Sequence, residues 1–100
     1  MDIDQALAAI GNPQRRQILI WLKDRANFPP ALPEHADAPG VCVGYIQDKA
    51  GLSQSTISTY MKTLKDAGLV RADRHGQWTF YQREEAAIAA LMQALAEDLQ

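Results

Sequence analysis

The stretch "GLSQSTISTYMKTLKDAGLV", residues 51–70, decides how this chain is read. Gly51 suits the end of one helix, Ser53 the cap of the next and Gly68 its stop, which predicts a helix over about residues 54–67. On a helical wheel Ile57, Met61 and Leu64 share the face that must pack against the preceding helix. The opposite face is unusual. It carries Ser55, Thr59 and Lys62, with Ser58 beside them and Thr56 and Thr63 at the flanks. Ser and Thr are mediocre helix formers, yet six of them fall between Ser53 and Thr63. An outer side that only meets water is better served by Glu, Lys and Ala. Short hydroxyl side chains instead let a helix sink into a DNA major groove, where they donate to or accept from base edges and phosphates. Lys62 adds charge, Gln54 has the bidentate shape that pairs with adenine, and the helix N-terminus favours a phosphate.

The neighbouring segments fit that role. A helical pattern runs from Val43 to Ala50 ahead of the turn. Beyond it, Leu69–Arg74 and Gln77–Gln82 flank His75-Gly76, the pattern of a β-hairpin with Gly76 at positive φ. Arg71, Arg74, His75 and Gln77 fall on or beside the tip, where a wing reaches the DNA backbone or minor groove. Val70, Trp78 and Phe80 alternate inward. At the N-terminus, residues 3–10 form a helix stopped by Gly11, and Asn12-Pro13 caps and starts a second, with Ile18, Leu19 and Leu22 inward. A last helix, about 84–98, carries Ile88, Leu91, Met92 and Leu95 at helical spacing. Four prolines in "NFPPALPEHADAPG" interrupt helix and mark residues 27–41 as a proline-rich loop. The order is mainly α with a small β-hairpin: a winged helix-turn-helix in one domain over residues 1–100, with the helix-turn-helix at 43–67 and the wing at 69–82.

Composition agrees. One hundred residues with 47% hydrophobic and 22% charged side chains support one modest core. The formal net charge is −2, but residues 43–83 hold six Lys/Arg against three acids. A basic middle between acidic ends suits a double-stranded DNA partner. No segment is long and apolar enough for a membrane span, and the acidic N-terminus does not suit a signal peptide; the expected location is the cytoplasm. A lone cysteine, Cys42, excludes an internal disulfide. No Ser-His-Asp spacing, glycine-rich phosphate loop or paired carboxylates suggests an enzyme, and no cofactor is expected.

The chain resembles the ArsR/SmtB family of bacterial repressors over nearly its whole length. "ALAAIGNPQRRQILIWL" is similar to the family's second-helix signature, residues 51–70 to its helix-turn-helix, and "RADRHGQWTFYQ" to its wing. The resemblance implies a homodimer that binds a palindromic operator and releases it on sensing an effector. By position, Gln54, Ser55, Ser58, Thr59 and Lys62 would read DNA. Independently, the apolar stripes Ile3, Leu7, Ile10 and Ile88, Leu91, Met92, Leu95 exceed what so small a core buries, and pairing across a two-fold axis would hide them.

The family's best-known members bind metal through a Cys-Val-Cys element. Here the corresponding residues are "VCVG": Cys42 is kept and Gly44 replaces the second thiolate, so no metal site is expected. An oxidant acting on Cys42, or a small organic molecule held by Phe28, Leu32 and the loop prolines near the dimer axis, stay open as effectors. The competing function is a winged-helix module that docks protein without touching DNA.

Overall fold

Capping and burial establish the central pair of helices. The computed structural model describes all residues from Met1 to Gln100. Helix α1 spans Ile3–Ile10, α2 Pro13–Trp21, α3 Val43–Ala50, α4 Gln54–Asp66 and α5 Glu85–Leu99. Ser53 caps α4, its Oγ accepting from Thr56 N at 3.2 Å. Ile57, Met61 and Leu64 on α4 and Ile46 on α3 are fully buried, so the two helices close the centre of the core between them.

Three short strands complete the molecule. Val41–Cys42 (β1), Val70–His75 (β2) and Trp78–Arg83 (β3) form an antiparallel sheet in the order β1-β3-β2. Register pairs His75 with Trp78, so the turn residues are Gly76 and Gln77, one position beyond the expected His75-Gly76. Gly76 has φ +63°, which fits a two-residue hairpin with Gly first. Val70 points into the core as expected, but Phe80 lies on the opposite face of the sheet and is buried outside that core, against His35 and His75. Trp78 shares the Phe80 face, which meets the His35 turn and not the core, and at the hairpin tip it stays 41% exposed.

The first two helices are locked by the arginine pair. Gly11 has an ordinary helical φ of −66° and gives α1 no left-handed cap. Instead Arg15 Nε donates to Ala9 O at 2.7 Å and Arg16 Nη1 to Ile10 O at 2.6 Å, covering carbonyls at the α1 terminus. Asn12 accepts from Gln14 N and Arg15 N and starts α2.

Of the two apolar stripes expected at a dimer interface, that on α1 stays uncovered and that on α5 loses one member to the core. The fully buried residues of α1 are Ala6 and Ala9; Leu7 is 36% exposed and Ile3 and Ile10 are half-buried. Alanine is needed inside because α1 packs against α2, α4 and α5 together, and small side chains allow that approach. On α5 the buried residue is Leu91, 1% exposed within its own chain. Leu91 is therefore core and not free for a dimer interface.

The 27–41 segment is more structured than a loop between helices. Single 3-10 turns at Arg25–Asn27 and Pro33–His35 flank Pro29 and Pro30, and the segment's end forms β1, a strand absent from the sequence reading. Phe28 is buried, and the Tyr45 hydroxyl donates to Pro30 O at 3.0 Å. The segment leans on α3 and the wing. The cavities beneath it have no lining residue from α1 or α5, so it does not adjoin the helices expected at a dimer axis.

Gly40 makes this path feasible. Its φ is +83°, and a Cβ there would collide with the Tyr81 carbonyl. Gly40→Ala is expected to lower stability by about 2–4 kcal/mol, read as a lower denaturant midpoint.

Candidate nucleic-acid interface

The outer face of α4 is open. Gln54, Ser55, Ser58, Thr59 and Lys62 are all exposed along one side of the helix, and no other part of the chain covers them. Their hydroxyls are not equivalent. Thr59 Oγ1 donates to Ser55 O at 3.0 Å, so it offers an outside partner only acceptor lone pairs and its methyl group. Such a group suits a base amino group or a thymine methyl. Ser58 and Gln54 carry no side-chain bond within the chain and keep both donor and acceptor capacity.

Thr56 stands differently. It is half-buried, and its Oγ1 accepts from Ser53 Oγ at 2.9 Å, which makes it part of the cap. Its role is to fix where α4 begins. Tyr60, the aromatic residue nearest this face, is also turned inward: its hydroxyl donates to Gln14 Oε1 at 2.9 Å, and Arg15 rests on its ring. These bonds tie α4 to the start of α2 and leave no aromatic anchor on the open face.

Lys62 carries the charge of the face, with its side chain 73% exposed. It pairs with Asp66 at 2.6 Å, a partner outside the sequence reading although the i,i+4 spacing signals it. So exposed a pair is held weakly and yields readily to a phosphate.

The wing divides. At its tip Arg74, His75 and Gln77 are exposed. Arg74 Nε donates to Gly76 O at 3.1 Å, which holds the guanidinium against the turn. His75 stands edge-on to Phe80 at 5.5 Å. Arg71 is not at the tip. Register places it opposite Gln82, near the base, between Asp73 at 3.7 Å and Glu84 at 3.3 Å. Beside it Arg83 is largely buried, donating to Leu19 O at 3.0 Å and to both oxygens of Glu85. Lys49 lies over the Trp21 and Phe28 rings. Of the six basic residues in the middle of the chain, Lys62, Lys65 and Arg74 therefore remain most available on the α4 and wing-tip side. Burial raises the Tyr81 phenol above its ordinary pKa of 10, so this side chain stays uncharged at neutral pH.

Cys42 is free and half-buried at the start of α3. A Cβ placed on Gly44 would lie 4.0 Å from its Sγ, with no other ligating atom there, and no three His, Cys, Asp or Glu side chains converge anywhere in the chain. The residues present do not fit a metal site. No helix is long and apolar enough to cross a membrane.

Comparison with known proteins agrees with this geometry. A family model described as "Bacterial regulatory protein, arsR family" matches residues 36–72. The "Uncharacterized HTH-type transcriptional regulator YbzH" of Bacillus subtilis (strain 168) is 39% identical over 100 residues, covering 99% of this chain and all of that protein. A "Putative arsenical resistance operon repressor ArsR2" of Halobacterium salinarum is 31% identical over 81 residues, 81% of this chain and 58% of that protein. Among solved structures, the homodimeric winged helix-turn-helix DNA-binding domain Mb0332 from Mycobacterium bovis superposes with a TM-score of 0.66 at 26% identity, covering 97% of this chain and 80% of that one. NolR from Sinorhizobium fredii gives 0.65 at 28% identity, covering 96% and 82%.

Proposed function

The chain belongs to the ArsR family of DNA-binding transcriptional regulators, and on that premise we propose that it is a homodimeric repressor of a palindromic operator. Each subunit lays α4 in the major groove, with Gln54, Ser55, Ser58 and Thr59 against base edges or phosphates and Lys62 on the backbone. Arg74, His75 and Gln77 at the wing tip reach the flanking backbone or minor groove. The observation that carries this reading is the uncovered face of α4, short, polar and without an apolar anchor. A protein-docking surface needs aromatic or aliphatic anchors at its centre. Tyr60, the nearest candidate, is spent on Asn12 and Gln14.

The dimer rests on what one chain leaves uncovered. Helix α5 is fifteen residues long, yet Leu91 is its one buried side chain. Met92 is 48% exposed, and Leu7, Ile3, Ile10, Ile88 and Leu95 are exposed or half-buried on α1 and α5. Joining these helices across a two-fold axis buries that surface and sets two α4 helices about 34 Å apart, one turn of DNA. Such a regulator works in the cytoplasm and answers to an effector.

The test is duplex binding as a function of salt. Affinity is expected to fall steeply and linearly on logarithmic axes, as phosphate contacts release counterions. A flat response would favour the docking module. In the same assay Asp66→Asn is expected to strengthen binding by roughly three- to tenfold, because it frees Lys62 and removes a negative charge beside the groove.

A further inference from the structure

We propose that the cavity between the 27–41 loop, the start of α3 and the wing is a binding site for a small aromatic carboxylate. The space is about 250 Å³ and opens between Leu32 and His35 of the loop, Cys42 and Gly44 of the α3 start, and Trp78 and Phe80 of β3. An apolar cavity of about 150 Å³ takes up benzene, so this one suits a single ring with a small substituent. Its chemistry matches. His35 stands edge-on to both Trp78 and Phe80, with centroids 5.1 Å away in each case. A ligand ring extends that cluster by the same edge-to-face contact.

The charge preference comes from Arg25. It lines this cavity and the adjoining one of about 550 Å³, is half-buried, and rests 5.7 Å from the Tyr45 ring centroid. It joins none of the chain's ion pairs. A half-buried guanidinium without an acid is a planar donor fork suited to a carboxylate. Asp48 also lines the space, but it is exposed and its charge is screened by water. An anion is therefore preferred to a cation.

Gly44 supplies the room. It sits in regular helix, and a Cβ there would meet only Cys42 Sγ, itself part of the lining, so a larger side chain grows into the cavity and not into backbone. The site does not depend on the DNA-binding reading, and it is tested on the free protein.

The experiment is an NMR titration of the full chain with benzoate, read at the Trp78 indole N–H. Trp21, which lines neither cavity, serves as the internal reference. A saturable Trp78 shift is expected, with a Kd between roughly 10 µM and 1 mM, while Trp21 stays still. Benzylamine is expected to bind at least about tenfold more weakly, and Arg25→Gln to weaken benzoate by about tenfold. Gly44→Leu fills the space while improving helix propensity, and is expected to abolish the shift. A Trp78 signal indifferent to benzoate, equal binding of benzylamine, or undiminished binding by both variants would overturn the assignment.

Discussion

Met92→Asp is expected to yield a folded chain that sediments as a monomer and binds operator DNA at least about 100-fold more weakly than the native protein. Met92 is 48% exposed, so a carboxylate there meets water in the isolated subunit and leaves the core intact. In the proposed dimer α5 packs into an apolar interface, so the carboxylate of each subunit would lose water without gaining a partner charge. Separating the subunits turns a two-site contact into two independent weak ones, and the loss of effective concentration accounts for the drop in affinity. Leu91 is the useful contrast. Truncating it to Ala opens a hole in the subunit's own core and destabilises the fold, whatever the oligomeric state. Sedimentation velocity and circular dichroism on both variants separate the two effects. A dimeric Met92→Asp would place the two-fold contact elsewhere.

Lys62→Glu is the second large effect. The variant is expected to bind its operator roughly 100-fold more weakly, since each dimer loses two phosphate contacts and gains two repulsions. The logarithmic salt slope should fall by about two in magnitude for the same reason. Stability should hardly change. Lys62 is mostly exposed, and breaking its pair with Asp66 touches a surface interaction of small worth. Undiminished binding by Lys62→Glu would remove α4 from the interface.

Local rules made most of the fold legible. Ser53, Asn12 and Gly51 punctuate the helices by capping chemistry that acts within a few residues, and the three boundaries they mark fall where expected. The misplaced residues are those whose environment is made by distant parts of the chain. Leu91 belongs to the same apolar stripe as Met92, yet it is buried within its own chain where α5 packs on α1. Trp78 alternates correctly with Phe80, but both lie on the sheet face that meets the His35 turn and not the core, which strand pairing decides and periodicity does not. Arg71 falls in a basic run around the hairpin turn, yet register and two acids hold it at the base.

The candidate interface shows the same division. Helical periodicity alone put Ser55, Ser58, Thr59 and Lys62 on one open face. The part played by Thr56 in the cap, and the restraint of Lys62 by Asp66, are hydrogen-bond outcomes that spacing only permits. Strand β1 had no signal beyond two residues of β-compatible sequence. Its existence depends on Gly40 letting the backbone approach Tyr81. That approach also shapes the cavity under the proline-rich segment.

Selecting bound sequences from random duplex DNA tests the paired placement of the two α4 helices. Two copies of α4 held one helical turn apart should enrich an inverted repeat whose half-site centres lie about 10 base pairs apart, with a few fixed positions in each half. Recovery of a single asymmetric site, of half-sites at variable spacing, or of no enriched sequence at all would contradict it.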